Sequence, residues 1–450
     1  MSAIAFLLER LRDAGEGTAF IEADGAAVGR GQFLGRIARA RAALAAAGVG
    51  AGDAVQLRGD FGADAAAWLL ALWEIGAVAV PVAPTSMARA AEFAAVGDVS
   101  WIVSGPVAAG DIAPGPGGSA HPLYAELRRR AAPGLVIFTS GTSGTPKGAV
   151  HDAGRLLSKF HAPGKDLRTL AFLLFDHIAG IDTLLYALAN ASTLVCPPAR
   201  DPATVMRCIA AHRVEVLPTA PSFLNMLLLS GAHEGLDLSA LKIITYGAEM
   251  MPQPLLERVA AAFPGVRIVQ KYGTSELGAL RSRSAGDRSR WLTIGGAGTE
   301  WRVRGGLLEI RTPTAMLGYL NAPSPFTEDG FHMTGDRVEV SPCGSMIRFL
   351  GRESDIINVG GQKVFPAEVE AALRALPGIA DAAVHGVPHP MLGACVCARI
   401  RPADPAADAA ALRVAIRRGL AGVLEPYKIP QKIILVDGPL ATERFKQMRG

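Results

Sequence analysis

Short apolar runs rich in branched residues alternate with longer helix-like segments between residues 54 and 340, and this alternation most restricts the fold. Segments with helical periodicity, such as ATVMRCIAAH and QPLLERVAAAF, separate the apolar runs. We interpret the runs as strands buried on both faces. They are VAVPV (78–82), LVIF (135–138), STLVC (192–196), VEVLP (214–218), KIITY (242–246) and VRIVQ (266–270). The pattern predicts an α/β fold with parallel or mixed sheets and flanking helices.

Two later parts of the sequence have different patterns. Residues 301–311 and 336–352 alternate in polarity around turn signals, which predicts a small antiparallel β section. After Arg352 the pattern restarts as a compact α+β module of helix, two strands, helix and strand. We therefore expect a large N-terminal domain (1–350), a hinge at the polar stretch GRESD (351–355) and a small C-terminal domain (356–450).

The composition is that of a globular protein with more than one core. The chain has 450 residues, of which 50% are hydrophobic and 19% charged. Its formal net charge of +4 is spread along the sequence, which argues against a nucleic-acid partner. The longest apolar stretches contain Glu74, Asp176 and Asp182, so no membrane span is expected. Five cysteines without a C-x-x-C pair, and no signal peptide, indicate a cytoplasmic protein.

The segment TSGTSGTPKG (139–148) is the most informative motif. An apolar strand leads into it, and the helical pattern GRLLSKF follows. Small residues let backbone N–H groups and hydroxyls close around phosphate oxygens, and Lys147 adds a positive charge. The order G-x-x-x-x-G-K-[ST] of common nucleotide-binding loops is absent. The alternative is a flexible surface loop, but a buried strand feeding this composition favours a polyphosphate site. The candidate residues besides the lysine are Thr139, Ser140, Gly141, Thr142, Ser143 and Gly144.

This motif resembles the signature of the superfamily that contains acyl-CoA synthetases, peptide-synthetase adenylation domains and luciferases. The resemblance continues along the chain in the same order and spacing. Its further motifs are FDHIAG (175–180), YGAE (246–249), YGTSELG (272–278), TGD (334–336) and GRESDIINVGGQKVFPAEVE (351–370). The resemblance implies a large α/β domain, a small mobile C-terminal domain and an active site between them. It implies an AMP-forming ligase that uses ATP and Mg²⁺ to activate a carboxylic acid.

Roles for individual residues follow from the resemblance. Glu276 would hold Mg²⁺, which prefers carboxylate oxygen. Asp336 would accept hydrogen bonds from both ribose hydroxyls, and Arg352 would contact the ribose or a phosphate. Ser275 would contact the α-phosphate, where relatives more often have Thr. The residues expected beside the adenine or within the same nucleotide motifs are Gly247, Ala248, Glu249, Tyr272, Gly273 and Thr274.

The resemblance also maps a pocket for the acid. His177 resembles a residue that lies beside the acyl carboxylate in CoA ligases of the family. The other pocket positions are Ala179, Thr183, Ala220, Gly247 and Lys271. Most are small, which favours an aryl or medium-length acyl group. Relatives generally have a small residue at the position of Lys271; we hypothesise that it pairs with a polar or anionic group on the acid, the alternative being an outward-facing lysine.

Two successive reactions are implied, with the small domain turning between them. Lys446 would reach the carboxylate and α-phosphate during adenylation. The GGQKV loop, through Gly360 and Gly361, would then lie beside the thiol arm. Ser354 and Phe445 depart from the residues usual in the family, in the hinge and beside the lysine respectively.

Three functions remain open from the sequence. The first is an enzyme that transfers the acyl group to coenzyme A. The second loads the phosphopantetheine of a carrier protein, or an amine. The third is an adenylate-binding protein without transfer activity.

Overall fold

A computed structural model describes residues 3–139, 145–438 and 440. Its helices follow the predicted periodic segments. In chain order they are α1 (Ala5–Asp13), α2 (Arg30–Ala47), α3 (Ala63–Glu74), α4 (Ala90–Val96), α5 (Pro122–Arg129), α6 (Ala153–Leu157), α7 (Ile178–Ala189), α8 (Pro202–Ala211), α9 (Pro221–Ser230), α10 (Gln253–Ala262), α11 (Pro366–Arg374) and α12 (Ala409–Leu420). Short 3₁₀ helices cover Pro84–Arg89, Ser158–Phe160, Glu353–Asp355 and Pro426–Lys428.

The strands fall into separate sheets. In chain order they are β1 (Thr18–Ile21), β2 (Ala27–Gly29), β3 (Ala54–Arg58), β4 (Val78–Val82), β5 (Trp101–Ser104), β6 (Asp111–Pro114), β7 (Gly134–Thr139), β8 (Lys147–Asp152), β9 (Thr169–Leu170), β10 (Leu194–Val195), β11 (Val216–Thr219), β12 (Ile243–Tyr246), β13 (Arg267–Gln270), β14 (Gly273–Thr274), β15 (Gly278–Ala279), β16 (Arg281–Ser284), β17 (Leu292–Gly295), β18 (Glu300–Arg304), β19 (Leu307–Arg311), β20 (Gly318–Tyr319), β21 (His332–Val340), β22 (Ile347–Arg352), β23 (Ile357–Val359), β24 (Gln362–Val364), β25 (Ile379–His389), β26 (Gly393–Pro402) and β27 (Lys432–Leu435).

Two seven-stranded sheets form the large domain. One has the order β13-β12-β11-β9-β10-β1-β2, and every pair except β1–β2 is parallel. The other has the order β20-β8-β7-β4-β3-β5-β6, with a parallel centre and antiparallel edges. Parallel strands need crossovers, which here are the helices, so both faces of the central strands are covered. Helix α3 illustrates this, because Ala63 and every residue from Ala65 to Trp73 are buried.

The third sheet and the small module also match the sequence pattern. The order β16-β17-β22-β21-β19-β18 is antiparallel throughout. Strands β23 to β27 form a separate five-stranded sheet with its own core, which includes Val369, Val384 and Ile416. The expectation of an α/β fold with a small β section and a small α+β C-terminal domain is therefore confirmed. The boundaries at 350 and 355 stay predictions.

Three local predictions need correction. STLVC is a strand only at Leu194–Val195. The Pro and Gly residues between 103 and 123 predict a loop, but this stretch includes β6. The phosphate-loop motif does not lead from a strand into a helix; it joins β7 to the antiparallel strand β8, which precedes α6. None of the described helices is both long and apolar enough to cross a membrane.

Trp73 connects a helix to the strand that leads into the phosphate-loop motif. Its side chain is 1% exposed, and its indole N–H donates to the Gly134 carbonyl at 2.9 Å. We expect Trp73→Phe to lower the free energy of unfolding by about 1–3 kcal/mol, because a buried acceptor loses its donor and a smaller ring leaves space. Urea denaturation followed by circular dichroism measures this. Trp291→Phe, at a half-buried tryptophan beneath Arg348, is the matched control; equal losses in both would contradict the expectation.

Candidate active site

The YGTSELG motif folds into a tight hairpin. Strands β14 and β15 pair Gly273 with Ala279 and Thr274 with Gly278. A Cβ on Gly273 would lie 2.6 Å from the Gly278 carbonyl oxygen, so only glycine permits this approach. The Thr274 hydroxyl accepts the backbone N–H groups of Glu276 and Leu277, at 3.3 and 3.2 Å. The hairpin therefore presents Glu276 at a fixed position.

Glu276 lies beside the end of the phosphate-loop motif. The Tyr319 hydroxyl donates to Glu276 Oε1 at 2.6 Å, and Lys147 Nζ lies 5.6 Å from the centroid of the Tyr319 ring. Strand β20 pairs with β8 and so brings Tyr319 next to this lysine. Desolvation acts to raise the pKa of Glu276, but hydrogen bonds from Tyr319 and Thr274 and the charge of His332 outweigh it and lower the pKa. Glu276 is consequently held as a carboxylate.

Asp336 and Arg352 face each other across two neighbouring strands. They are register partners in β21 and β22, and Arg352 Nε donates to Asp336 Oδ1 at 3.2 Å. The Tyr272 hydroxyl donates to the other oxygen, Oδ2, at 2.7 Å, while its ring stacks on Phe349 with centroids 4.7 Å apart. Each carboxylate oxygen keeps further acceptor capacity for a diol. Burial raises the pKa of Asp336, although Arg352 and Tyr272 oppose the shift.

These two clusters form one site. Asp336 and Arg352 both interact electrostatically with Glu276. Buried His332 also interacts with Glu276 and Arg352, and desolvation lowers its pKa. Burial and the adjacent carboxylate raise the pKa of Tyr319 well above its ordinary value, so it remains a hydrogen-bond donor.

The donor set fits Mg²⁺ held mainly by a substrate. Among the described residues, no group of three or more His, Cys, Asp or Glu side chains could hold a metal. Mg²⁺ in proteins commonly keeps several waters and is bound through one or two carboxylates together with substrate phosphates, and the single ionised carboxylate here suits that mode of binding. Glu276 is the residue that would supply the carboxylate.

The described residues include both ends of the phosphate-loop motif. Thr139 ends β7 and is paired with Lys147 at the start of β8. Ser140, Gly141, Thr142, Ser143 and Gly144 lie outside the described residues.

The YGAE motif follows strand β12 as a strained loop. Ala248 has a φ of +66°, in the left-handed region that is unfavourable for residues other than glycine. Glu249 directs its carboxylate away from its own loop, since Oε2 accepts the Ser222 backbone N–H near the start of α9, at 2.9 Å. Desolvation raises the pKa of Glu249 to about 7, with the Ser222 hydrogen bonds and Arg374 opposing.

The predicted acid-pocket residues come from several elements. His177 is the residue before α7, and Ala179 and Thr183 lie on its first turns, where the Thr183 hydroxyl donates to the Ala179 carbonyl at 2.8 Å. Ala220 is buried immediately before α9. A Cβ on Gly247 would lie 3.0 Å from the Lys271 carbonyl oxygen. These two positions, 247 and 271, therefore adjoin.

The segment predicted to be the hinge contacts the hairpin that carries the two glycines predicted to lie beside the thiol arm. Gly360 and Gly361 make the turn between β23 and β24, with φ values of +57° and +89°. Glu353 pairs with Arg337 of β21 at 2.7 Å and with Lys363 of β24 at 3.6 Å.

Of the two residues that differ from those usual in the family, only Ser354 lies among the described residues. Ser354 donates to its neighbour Asp355 at 3.0 Å. Lys446 and Phe445 lie outside the described residues, so the role of this lysine stays a prediction.

Sequence reasoning missed three residues of the site. Tyr319, His332 and Phe349 carried no recognised signal, because each reaches the site through strand pairing between distant segments. Tyr319 follows Gly318 in a stretch rich in turn residues, and only its pairing with β8 reveals its position.

Two family models match most of this architecture. The model described as AMP-binding enzyme matches residues 98–320, and the one described as AMP-binding enzyme C-terminal domain matches residues 368–446. The chain belongs to the AMP-binding enzyme family. The first match contains the Glu276 hairpin and Tyr319, so the family assignment covers this half of the site.

Relatives within the family are named as CoA ligases. One from Mycobacterium tuberculosis, a 3-[(3aS,4S,7aS)-7a-methyl-1,5-dioxo-octahydro-1H-inden-4-yl]propanoyl:CoA ligase, is 33% identical over 321 residues, covering 67% of this chain and 62% of the relative. Indoleacetate–CoA ligase from Aromatoleum aromaticum is 28% identical over 330 residues, covering 68% and 64%. The chain thus spans less than two thirds of the length of these two relatives.

Solved structures of other proteins share the fold. ATP-bound MatB from Rhodopseudomonas palustris has a TM-score of 0.79 at 24% identity, covering 100% of this chain and 97% of that one. The o-succinylbenzoate CoA synthetase (MenE) of Bacillus subtilis has a TM-score of 0.77 at 22% identity, with coverage of 99% and 96%.

Tyr319→Phe isolates the hydroxyl that binds Glu276, because the phenyl ring stays beneath Lys147. Loss of the hydrogen bond removes stabilisation of the Glu276 carboxylate, so its pKa rises. We expect the affinity for MgATP to fall about tenfold at low pH and to recover as pH rises. Calorimetric titration between pH 5.5 and 8 measures this. Tyr427→Phe, in the small domain, is the control; a pH profile in Tyr319→Phe that matches wild type would contradict the assignment.

Proposed function

We propose that this protein is an ATP-dependent, AMP-forming ligase that activates an acyl or aryl carboxylic acid and transfers the acyl group to coenzyme A. The observation that carries the proposal is the joining of two clusters: Asp336 with Tyr272 and Arg352, and Glu276 with Tyr319. The first cluster suits a ribose diol and the second suits a metal-bound polyphosphate. The names of the relatives in the family support the acceptor.

The proposed reaction has two steps. In the first, a carboxylate oxygen attacks the α-phosphorus of ATP; the P–O bond to the β-phosphate breaks, giving acyl adenylate and pyrophosphate. In the second, the thiol sulfur attacks the acyl carbon; the C–O bond to AMP breaks, giving thioester, AMP and a proton. Both reactants of the first step are anions, so electrostatic stabilisation and positioning are the main requirements.

Different residues of this chain would bind the ribose, the phosphates and the reacting carboxylate. Asp336 would accept the ribose hydroxyls, and Arg352 beside it would contact the ribose or a phosphate. Lys147 would approach the polyphosphate from β8, close to Glu276 across the Tyr319 ring. Lys446 would reach the reacting carboxylate and the α-phosphate.

Glu276 would hold Mg²⁺, with Tyr319 fixing the orientation of its carboxylate. The bound cation would neutralise charge on the phosphates. His177 would lie at the acid's carboxylate, at the start of α7. Ser275 would lie beside the α-phosphate; its carbonyl already accepts a hydrogen bond from buried His151 at 2.6 Å, which fixes the backbone there.

The thiol step would use the hinge at 351–355. Rotation there would carry the turn at Gly360 and Gly361 toward the acyl adenylate. Both glycines have positive φ, and added side chains would narrow the approach of a pantetheine arm. Asp355, which accepts from Ser354, would take the place of the residue usual at the hinge.

ATP–pyrophosphate exchange across aryl, fatty and amino acids tests the first step. We expect exchange with at least one acid without an α-amino group, and loss of about 10²-fold or more in Lys446→Ala because the carboxylate and phosphate lose a shared cation. The active acid is then offered with coenzyme A and with a phosphopantetheinylated carrier protein. Faster thioester formation with the carrier protein would contradict the proposal that coenzyme A is the acceptor. No exchange with any acid would favour an adenylate-binding protein without transfer activity.

Asp336→Ala removes the acceptor for the ribose. Two hydrogen bonds to a charged group are lost, so we expect the KM for ATP in the exchange reaction to rise about 30- to 150-fold, equivalent to about 2–3 kcal/mol. Asp237→Ala is the matched control, since Asp237 pairs only loosely with Arg213 at 3.8 Å on the surface. An unchanged KM in Asp336→Ala would place the ribose elsewhere.

A further inference from the structure

His151 is a buried polar residue on β8, the strand that begins at Lys147. It pairs in register with Leu135 of β7 and has no exposed surface. Its Nε2 atom lies 2.6 Å from the carbonyl oxygen of Ser275, in the turn of the β14–β15 hairpin. A carbonyl only accepts hydrogen bonds, so Nε2 is the donor. This bond replaces the hydration that the imidazole loses on burial.

The hydrogen bond from His151 fixes the peptide unit between Ser275 and Glu276. The Ser275 carbonyl and the Glu276 N–H belong to the same planar unit. His151 holds its carbonyl oxygen, and the Thr274 hydroxyl accepts its N–H at 3.3 Å. The Glu276 carbonyl, in the next peptide unit, accepts the Met316 N–H at 2.7 Å. Both peptide planes that flank the Glu276 Cα are therefore held, which sets the direction in which the side chain leaves the backbone.

One face of the β8–β20 strand pair contacts this turn at two points. Side chains alternate along β8, so His151 points to the same side as Ala149 and Lys147. Ala149 is the register partner of Tyr319 on β20, and directly opposed residues share a face. From that face the Tyr319 hydroxyl donates to the Glu276 carboxylate at 2.6 Å. The backbone of the turn and the carboxylate it carries are thus anchored to the same two strands.

We propose that His151 is a positioning residue for adenylation, which holds the Ser275–Glu276 peptide so that Ser275 faces the α-phosphate and the Glu276 carboxylate faces Mg²⁺. The inference rests on the proposed function and adds a residue to it. A small displacement of the turn would misplace both groups, and rates depend steeply on such alignment. A histidine that only filled the core would instead affect the stability of the fold, without acting selectively at the phosphate end of the nucleotide.

Three substitutions separate the hydrogen bond from the volume of the ring. His151→Gln places an amide N–H close to the position of Nε2, His151→Asn is one methylene shorter, and His151→Leu fills the space without a donor. In ATP–pyrophosphate exchange we expect kcat to fall about 10- to 100-fold in His151→Leu and His151→Asn, and to stay within about threefold of wild type in His151→Gln. An unchanged kcat in His151→Leu, or equal losses in His151→Leu and His151→Gln, would overturn the assignment.

Calorimetric titration gives a second measurement that does not depend on turnover. Adenosine carries the ribose that Asp336 would bind but has no phosphate. We expect His151→Leu to bind adenosine as wild type does and MgATP about tenfold more weakly. Equal losses for both ligands would mean that the whole site is disturbed, and would overturn the positioning role.

His233→Leu is the matched control for a histidine-to-leucine change in the large domain. His233 is half-buried and packs on Phe263, with ring centroids 5.4 Å apart. It should change neither kcat nor the two affinities. Absence of exchange with every acid in the wild-type protein would overturn the proposed function, whereas the comparison of adenosine with MgATP would still test His151.

Discussion

The pairing of Asp336 with Arg352 across β21 and β22 fixes the geometry on which the site depends. Burying the Asp336 carboxylate without partners would cost desolvation free energy. The Arg352 guanidinium and the Tyr272 hydroxyl together offset that cost. Strand register keeps the carboxylate opposite Arg352, which is the final residue of β22 and lies within the predicted hinge segment. The proposed ribose acceptor and the predicted hinge are thereby positioned by the same two strands.

A second sheet supplies the other half of the site through its edge. Strand β8 provides Lys147, and β20 adds Tyr319 alongside, so two strands bring a cation and a hydroxyl to Glu276. The hairpin that carries Glu276 tolerates only glycine at position 273. Positions that tolerate little change thus surround the carboxylate proposed to hold the metal.

Sequence patterns predicted the strands of the sheet interiors because such strands are apolar on both faces, as in VAVPV and LVIF. Strand β8 was missed because KGAVHD contains glycine and three charged or titratable residues, although His151 within it is fully buried. The motif resemblance named Glu276, Asp336 and Arg352, and these three residues interact electrostatically in the structure. Tyr319 could not be found this way, because it depends on a contact between segments 43 residues apart.

Strand β20 has a consequence for how the protein responds to its nucleotide. It consists of two residues at the sheet edge, held by the hydrogen bonds from Leu317 to Val150 and from Leu320 to Gly148, at 2.7 and 2.8 Å. Short edge strands open more readily than the interior of a sheet. A nucleotide that engages Lys147 and Glu276 would tie this edge to β8 and to the β14–β15 hairpin. Nucleotide binding would then slow amide hydrogen exchange of the backbone at residues 317–320.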